Sequence, residues 1–144
     1  MLVKHILTDK GRDIIAISAD ALLAEAVRLL ARKRIGAVIA HGEGGTLAGI
    51  LSERDVVRAL SESDGALARP VSAYMTAEVA TCTEDDSIED LMEMMTHGRF
   101  RHVPVLDARG QLCGLISIGD VVKTRIAETV HEAQSLREYI SATG

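Results

Sequence analysis

The sequence predicts a mixed α/β (α+β) fold: two pseudo-symmetric β-α-β-β-α units packed as one module, followed by a C-terminal helix. Three observations predict it. The first is a gapless self-match at an offset of 65 residues. Gly49-Ile50-Leu51-Ser52-Glu53-Arg54-Asp55-Val56-Val57 returns as Gly114-Leu115-Ile116-Ser117-Ile118-Gly119-Asp120-Val121-Val122. The same shift aligns Asp20 with Asp85, Arg34 with Arg99, Val38 with Val103, Gly45 with Gly110 and Leu47 with Leu112. A repeated unit of this kind packs against its copy to complete a core. The second is the alternation of short apolar strand runs with runs of helical period, joined by tight turns. The third is a final helical run with no breaker.

In the first unit, Asp13-Ile14-Ile15-Ala16-Ile17 is a short apolar strand. Leu22, Leu23, Ala26, Val27, Leu29 and Leu30 then recur at helical spacing as far as Arg34. Ala37 to Ala40 is a strand, His41-Gly42-Glu43-Gly44-Gly45 a turn, Leu47 to Leu51 a strand, and Ser52 opens a helix that runs to Ser61. The second unit repeats the order: strand Val79 to Cys82, helix Ser87 to His97, strand His102 to Leu106, turn Asp107 to Gly110, strand Leu112 to Ser117, then a helix. The loop-like stretch Asp64 to Ala73 holds Gly65 and Pro70. The units are therefore set at 1–65 and 72–128, with the connector at 66–71 and a helical extension at 129–144. From Val121 to Ile140, residues Val122, Ile126, Thr129, Ala133, Leu136 and Ile140 alternate steps of four and three, a weak heptad seam. This helix lies either on its own unit or against a second subunit; a homodimer is the expectation.

The chain has 144 residues, 47% hydrophobic and 26% charged, enough to bury one core. With Phe100, Tyr74 and Tyr139 as its only aromatics, that core is aliphatic. So few rings oppose a stacking platform for single-stranded nucleic acid, and a net charge of −5 opposes a phosphate-backbone binder. The tract Arg28, Arg32, Lys33, Arg34 reads as cations favoured near a helix C-terminus. Cys82 and Cys113 read as free thiols of a reducing compartment. No apolar run reaches the ~20 residues of a membrane span, and Lys4, His5, Asp9 and Lys10 interrupt any leader-like run. The expected location is cytoplasmic, with no nucleic acid or membrane partner.

Ser52-x-x-Asp55 and Ser117-x-x-Asp120 each stand between an apolar strand and an apolar helical run. This is the pattern of a capping box, in which serine accepts from the third helical N–H and the acid reaches back. Gly49 and Gly114 sit near strand starts, where a missing side chain permits close backbone approach. Two such carboxylates beside helix N-termini could equally accept ribose hydroxyls while nearby N–H groups and cations take phosphate.

The strand–helix–strand–strand–helix repeat, the Gly-h-h-Ser-x-x-Asp endings and the segment Arg101-His102-Val103-Pro104-Val105 resemble a tandem pair of CBS (cystathionine-β-synthase) domains, a Bateman module, from Ile6 to Thr124. The resemblance implies two clefts between the repeats that bind adenosine-containing ligands such as AMP, ADP, ATP, NAD or S-adenosylmethionine. It also implies a disc-like homodimer. Carried over residue by residue, it makes Asp55 with Ser52, and Asp120 with Ser117, the ribose-binding pairs. The backbone segments against adenine are Thr8 to Ile14, including Gly11, and Thr76 to Thr81. Ile14, Ile35, Val79 and Pro104 wall the base. Arg101 and His102 stand where the first repeat has Gly36 and Ala37, and they are expected to serve phosphate in the cleft of Asp55. Arg54 assists there, since Gly119 replaces it in the other copy.

No catalytic chemistry assembles. His97 and His102 are five apart and have no partner for a metal, Asp85-Asp86 precedes a helix as a cap does, and Met75, Met92, Met94 and Met95 read as core filler. No nucleophile, base and orienting group come together. The sequence therefore describes a regulatory binding module that senses an adenine nucleotide, needs no cofactor, and signals to a separate effector protein. The alternatives are a structural dimer with unfilled clefts and, more remotely, a nucleotide-processing enzyme.

Overall fold

Each half of the repeat forms its own three-stranded sheet. In the computed structural model, which describes residues 1–143, the first sheet holds β1 (Ala16–Ser18), β2 (Ala37–His41) and β3 (Leu47–Ser52). The second holds β4 (Cys82–Thr83), β5 (His102–Leu106) and β6 (Leu112–Ser117). The middle strand of each pairs parallel with the first and antiparallel with the third. The helices are α1 (Val3–Lys10), α2 (Leu23–Lys33), α3 (Glu53–Glu62), α4 (Ile88–Gly98) and α5 (Ile118–Thr143).

Strand alternation divides the core into layers. Val38, Ala40 and Leu51 pack with Leu23, Ala26 and Leu30 of α2. Ala37, Ile39 and Ile50 belong instead to a cluster with Leu112 and Leu115 of β6 and with Val79. Each sheet thus carries helices on one face and meets the other sheet on its opposite face. The 65-residue symmetry extends to backbone conformation. Arg34 and Arg99 end α2 and α4 at φ 55° and 56°, and Gly45 and Gly110 both turn at φ 77°.

Two strands differ from the sequence expectation. The first is Ala16–Ser18 rather than 13–17, because its partner β2 offers a parallel register only from Ile39 to His41. The fourth is Cys82–Thr83 rather than 79–82. In the first sheet the Ile39 N–H donates to the Ile15 carbonyl at 3.2 Å. The matching position in β5 is Pro104, which has no N–H, so pairing with β4 begins only at Val105.

The segment leading into each unit packs on the other unit's core. Helix α1, which the strand and helix periodicity does not announce, buries Val3, Ile6 and Leu7 among Cys82, Ile88, Leu91, Val103, Val105 and Ile116 of the second half. The Val3 N–H donates to the Asp86 carbonyl at 2.9 Å, and the Ile88 N–H to the Met1 carbonyl at 3.1 Å. In the first core, Ala66 and Val71 from two short helical turns lie beside Leu23 and Ala26. Val71 stands 65 residues after Ile6, so the two crossings obey the same symmetry. The connector therefore contributes Ala66 and Val71 to the core, and the halves interlock.

The repeated glycines make room for these crossings. A Cβ at Gly114 would stand 2.6 Å from Leu7 Cδ2. A Cβ at Gly49 would stand 2.5 Å from the Thr76 carbonyl oxygen and 2.9 Å from Met75 Sδ. Thr76 is fixed there by paired backbone hydrogen bonds with Ile50 of 2.8 and 3.0 Å. Gly49→Ala is expected to destabilise the fold by ~1–3 kcal/mol, the usual range for overpacking. Gly114→Ala should cost less, because its obstacle is a flexible side chain rather than backbone. Urea midpoints of the two variants check this, and equal midpoints would show that the Thr76 segment slips aside freely.

Helix α5 starts at Ile118, three residues before the breaker-free run begins, because Gly119 in its first turn does not interrupt it. Beyond Glu128 its residues through Ala142 are exposed. Cys82 and Cys113 are free thiols, and burial pushes that of Cys82 up to about 12. Among the described residues, no helix is long and apolar enough to cross a membrane.

Candidate functional site

The two Ser-x-x-Asp motifs cap α3 and α5, but their carboxylates are differently engaged. At α3, Ser52 Oγ accepts the Asp55 N–H at 3.2 Å, while Asp55 Oδ2 accepts the Ser52 N–H at 2.9 Å and its hydroxyl at 3.0 Å. Arg58 Nη2 donates to Asp55 Oδ1 at 2.7 Å. Asp55 is 6% exposed, with both oxygens occupied. At α5, Ser117 Oγ accepts the Asp120 N–H at 3.1 Å and Asp120 Oδ2 accepts the Ser117 N–H at 2.8 Å. Here the cation is Lys10, whose Nζ lies 2.7 Å from Asp120 Oδ2 and 2.8 Å from the Leu115 carbonyl. Burial pushes the Asp120 carboxyl up, but the hydrogen bonds from Lys10 and Ser117 outweigh it and hold the group below its ordinary value.

Two cavities of about 360 Å³ each open where the strands of the two sheets end. The first lies between Ser52, Glu53 and Arg54 at the start of α3 and the stretch Arg99 to His102 that enters β5. The second has apolar walls from Ile15, Ile35 and Leu115, and polar ones from Lys10, Asp13 and Ser117. Gly36 and His102 belong to both walls, so the cavities meet at these two residues. Burial and then Lys10 hold the His102 imidazole below its ordinary value against the opposing pull of Asp120 and Glu53. A third cavity, of about 350 Å³ between α1 and α5, is bordered by Asp9, Lys10, Asp120, Lys123 and Thr124. Lys10 therefore stands between the second and third cavities.

Of the residues singled out from sequence, Arg101, His102, Arg54, Ser52 and Gly36 meet on the first cavity. Ile35, Gly36, His102 and Ser117 meet on the second, and Asp120 borders the third. Asp55 lies beneath the first cavity's wall, turned toward its cap and Arg58. Ile14 and Val79 sit in the cluster between the sheets, and Pro104 is buried within β5. Thr76 is in the bridge to Ile50, Thr81 precedes β4, and Gly119 faces an outer groove with Arg101 and Val122. The Thr8 hydroxyl donates to the Lys4 carbonyl at 2.9 Å, and Gly11 caps α1 at φ 97°.

Sequence reasoning placed Lys10 and Asp13 within the backbone segment 8–14 but gave their side chains no role, and it missed Ile15, Glu53, Arg99 and Phe100. Arg99 carried a signal, since it matches Arg34 in the repeat and its turn takes the left-handed conformation in both copies. Lys10 carried none, because its repeat partner is Met75.

The match to a known family begins at the two crossing segments. The CBS domain family matches residues 3–62 and 71–127. This chain belongs to that family. Among curated relatives, the CBS domain-containing protein CBSX3, mitochondrial, of Arabidopsis thaliana is 31% identical over 147 residues, covering 96% of this chain and 71% of that protein. The crystal structure of the CBS-domain containing protein ATU1752 from Agrobacterium tumefaciens superposes with a TM-score of 0.83 at 44% identity, covering 86% of this chain and 92% of the other. The CBS domain protein PAE2072 from Pyrobaculum aerophilum, whose structure is complexed with AMP, matches with a TM-score of 0.75 at 24% identity, covering 83% and 89%. The tandem CBS fold expected from the 65-residue repeat is thus shown.

Proposed function

We propose that this CBS pair is a regulatory module that binds an adenosine nucleotide (AMP, ADP, ATP or NAD) in the clefts between its sheets and signals the occupancy to a separate effector protein. The observation that carries the reading is the second cavity. Its apolar walls of Ile15, Ile35 and Leu115 suit a base, and its Lys10 is paired with the Asp120 carboxylate of the adjoining third cavity, so an acceptor for ribose hydroxyls and a cation for phosphate stand where the two cavities meet. The AMP complex of the Pyrobaculum relative supports the ligand class. Ligand contacting both halves biases their relative arrangement, and reaches a partner only through a difference in affinity between arrangements. Unpaired thiols support a cytoplasmic setting, and the net charge of −5 supports a role without nucleic acid. The exposed stripe Val122, Ile126, Val130 and Leu136 supports a homodimer joined along α5.

A thermal-shift panel of AMP, ADP, ATP, NAD and S-adenosylmethionine tests the reading. A true ligand at 100 times its dissociation constant adds about 2.7 kcal/mol of stability. If no compound moves the transition at millimolar concentration, the clefts are not nucleotide sites and the chain is a dimeric scaffold.

A further inference from the structure

We propose that Lys10 makes the Asp120 cleft selective for phosphorylated adenosine, by exchanging the Asp120 carboxylate for the ligand's phosphate when the ribose hydroxyls take Asp120. The inference rests on the nucleotide-binding reading above and names the ligand class that this cleft prefers.

Four features of the structure carry it. Lys10 is the last residue of α1, its side chain 36% exposed, and it borders both the cavity lined by Ile15, Ile35 and Leu115 and the cavity lined by Asp120 and Lys123. Its ammonium is held by two acceptors, Asp120 Oδ2 on one of these cavities and the carbonyl of Leu115, which lines the other. The cation is not required by the fold, because the symmetric position beside β3 is Met75 and the symmetric carboxylate is satisfied by Arg58 of its own helix. Finally, Gly11 follows Lys10 at φ 97°, a conformation that favours glycine and ends α1 there, leaving the lysine stem at a free helix end.

The energetics give the selection its sign. A ribose diol that hydrogen-bonds to Asp120 competes with Lys10 for the same oxygen. An unphosphorylated nucleoside then leaves the ammonium without its counterion, in a partly desolvated rim. A 5′-phosphate supplies a new one, within the swing of a four-carbon side chain and beside Lys123. Discrimination therefore arises from an unpaired charge in the disfavoured complex as much as from an added contact in the favoured one.

Calorimetric titration of the full chain with AMP and with adenosine tests the exchange, using wild type, Lys10→Met and Lys10→Arg. Met is the residue at the symmetric position, and an exposed site tolerates it; matched melting curves confirm the fold. Wild type should bind AMP at least about tenfold more tightly than adenosine, the worth of one charge-assisted hydrogen bond. Lys10→Met should bring the ratio to within about twofold, by weakening AMP while adenosine holds or tightens, and Lys10→Arg should restore most of the preference. An unchanged ratio in Lys10→Met overturns the proposal and leaves nucleotide binding standing. Wild type that binds neither compound overturns the nucleotide reading, and this proposal with it.

Discussion

Leu7→Ala is expected to destabilise the protein by about 2–5 kcal/mol, the range for removing a fully buried leucine, although the residue belongs to a terminal helix of eight residues. Leu7 is 1% exposed and packs into the space left open at Gly114. Its neighbours Ile88, Leu91, Val103, Val105 and Ile116 form the core of the distant half. A helix as short as α1 is not stable in isolation, so its conformation is maintained by this packing. Losing Leu7 therefore acts twice, opening a cavity and loosening the helix that presents Lys10 to Asp120. Urea denaturation should show a lower midpoint at unchanged slope, and Thr8→Ala on the exposed side of α1 should stay within about 0.5 kcal/mol of wild type. A Leu7→Ala midpoint equal to that of Thr8→Ala would mean that α1 does not belong to the second core.

The reason α1 was hidden in the sequence is physical. Val3, Ile6 and Leu7 fill barely two helical turns, and their partners Cys82 to Ile116 lie 75 residues or more away, beyond the reach of any local pattern. By contrast, the motifs that both copies repeat residue for residue were legible. Gly49 and Gly114 admit a crossing segment, Ser52 and Ser117 cap a helix, and Gly45 and Gly110 turn a hairpin. Pro104 shortened β4 through a missing donor, a cost visible only once its pairing partner was known. At the site, Arg101 and His102 stood out because the first repeat has Gly36 and Ala37 in their place. Lys10 did not, because it reaches Asp120 from a segment 110 residues earlier. The repeat thus revealed what is symmetric, and the asymmetry between the clefts came from the crossing helix.

That asymmetry predicts opposite behaviour from two substitutions that look equivalent in sequence. Asp55→Ala removes a carboxylate that is 6% exposed and holds the Ser52 N–H, the Ser52 hydroxyl and Arg58. It discards a helix cap worth about 1 kcal/mol and leaves the half-buried Ser52 N–H and hydroxyl without their acceptor, at a further cost of about 1 kcal/mol. Asp120→Ala also discards a cap, but its pair with Lys10 is partly exposed, and pairs of that kind contribute at most about 1 kcal/mol. Asp55→Ala should therefore lower the melting temperature more. In the presence of AMP the order should reverse: Asp55→Ala keeps most of the ligand-induced shift, and Asp120→Ala loses it. Measuring both variants with and without AMP separates a carboxylate committed to the scaffold from one available at a cleft. Equal loss of the AMP shift in both would mean that Asp55 releases Arg58 to reach ligand, so that the two clefts work alike despite their different cations.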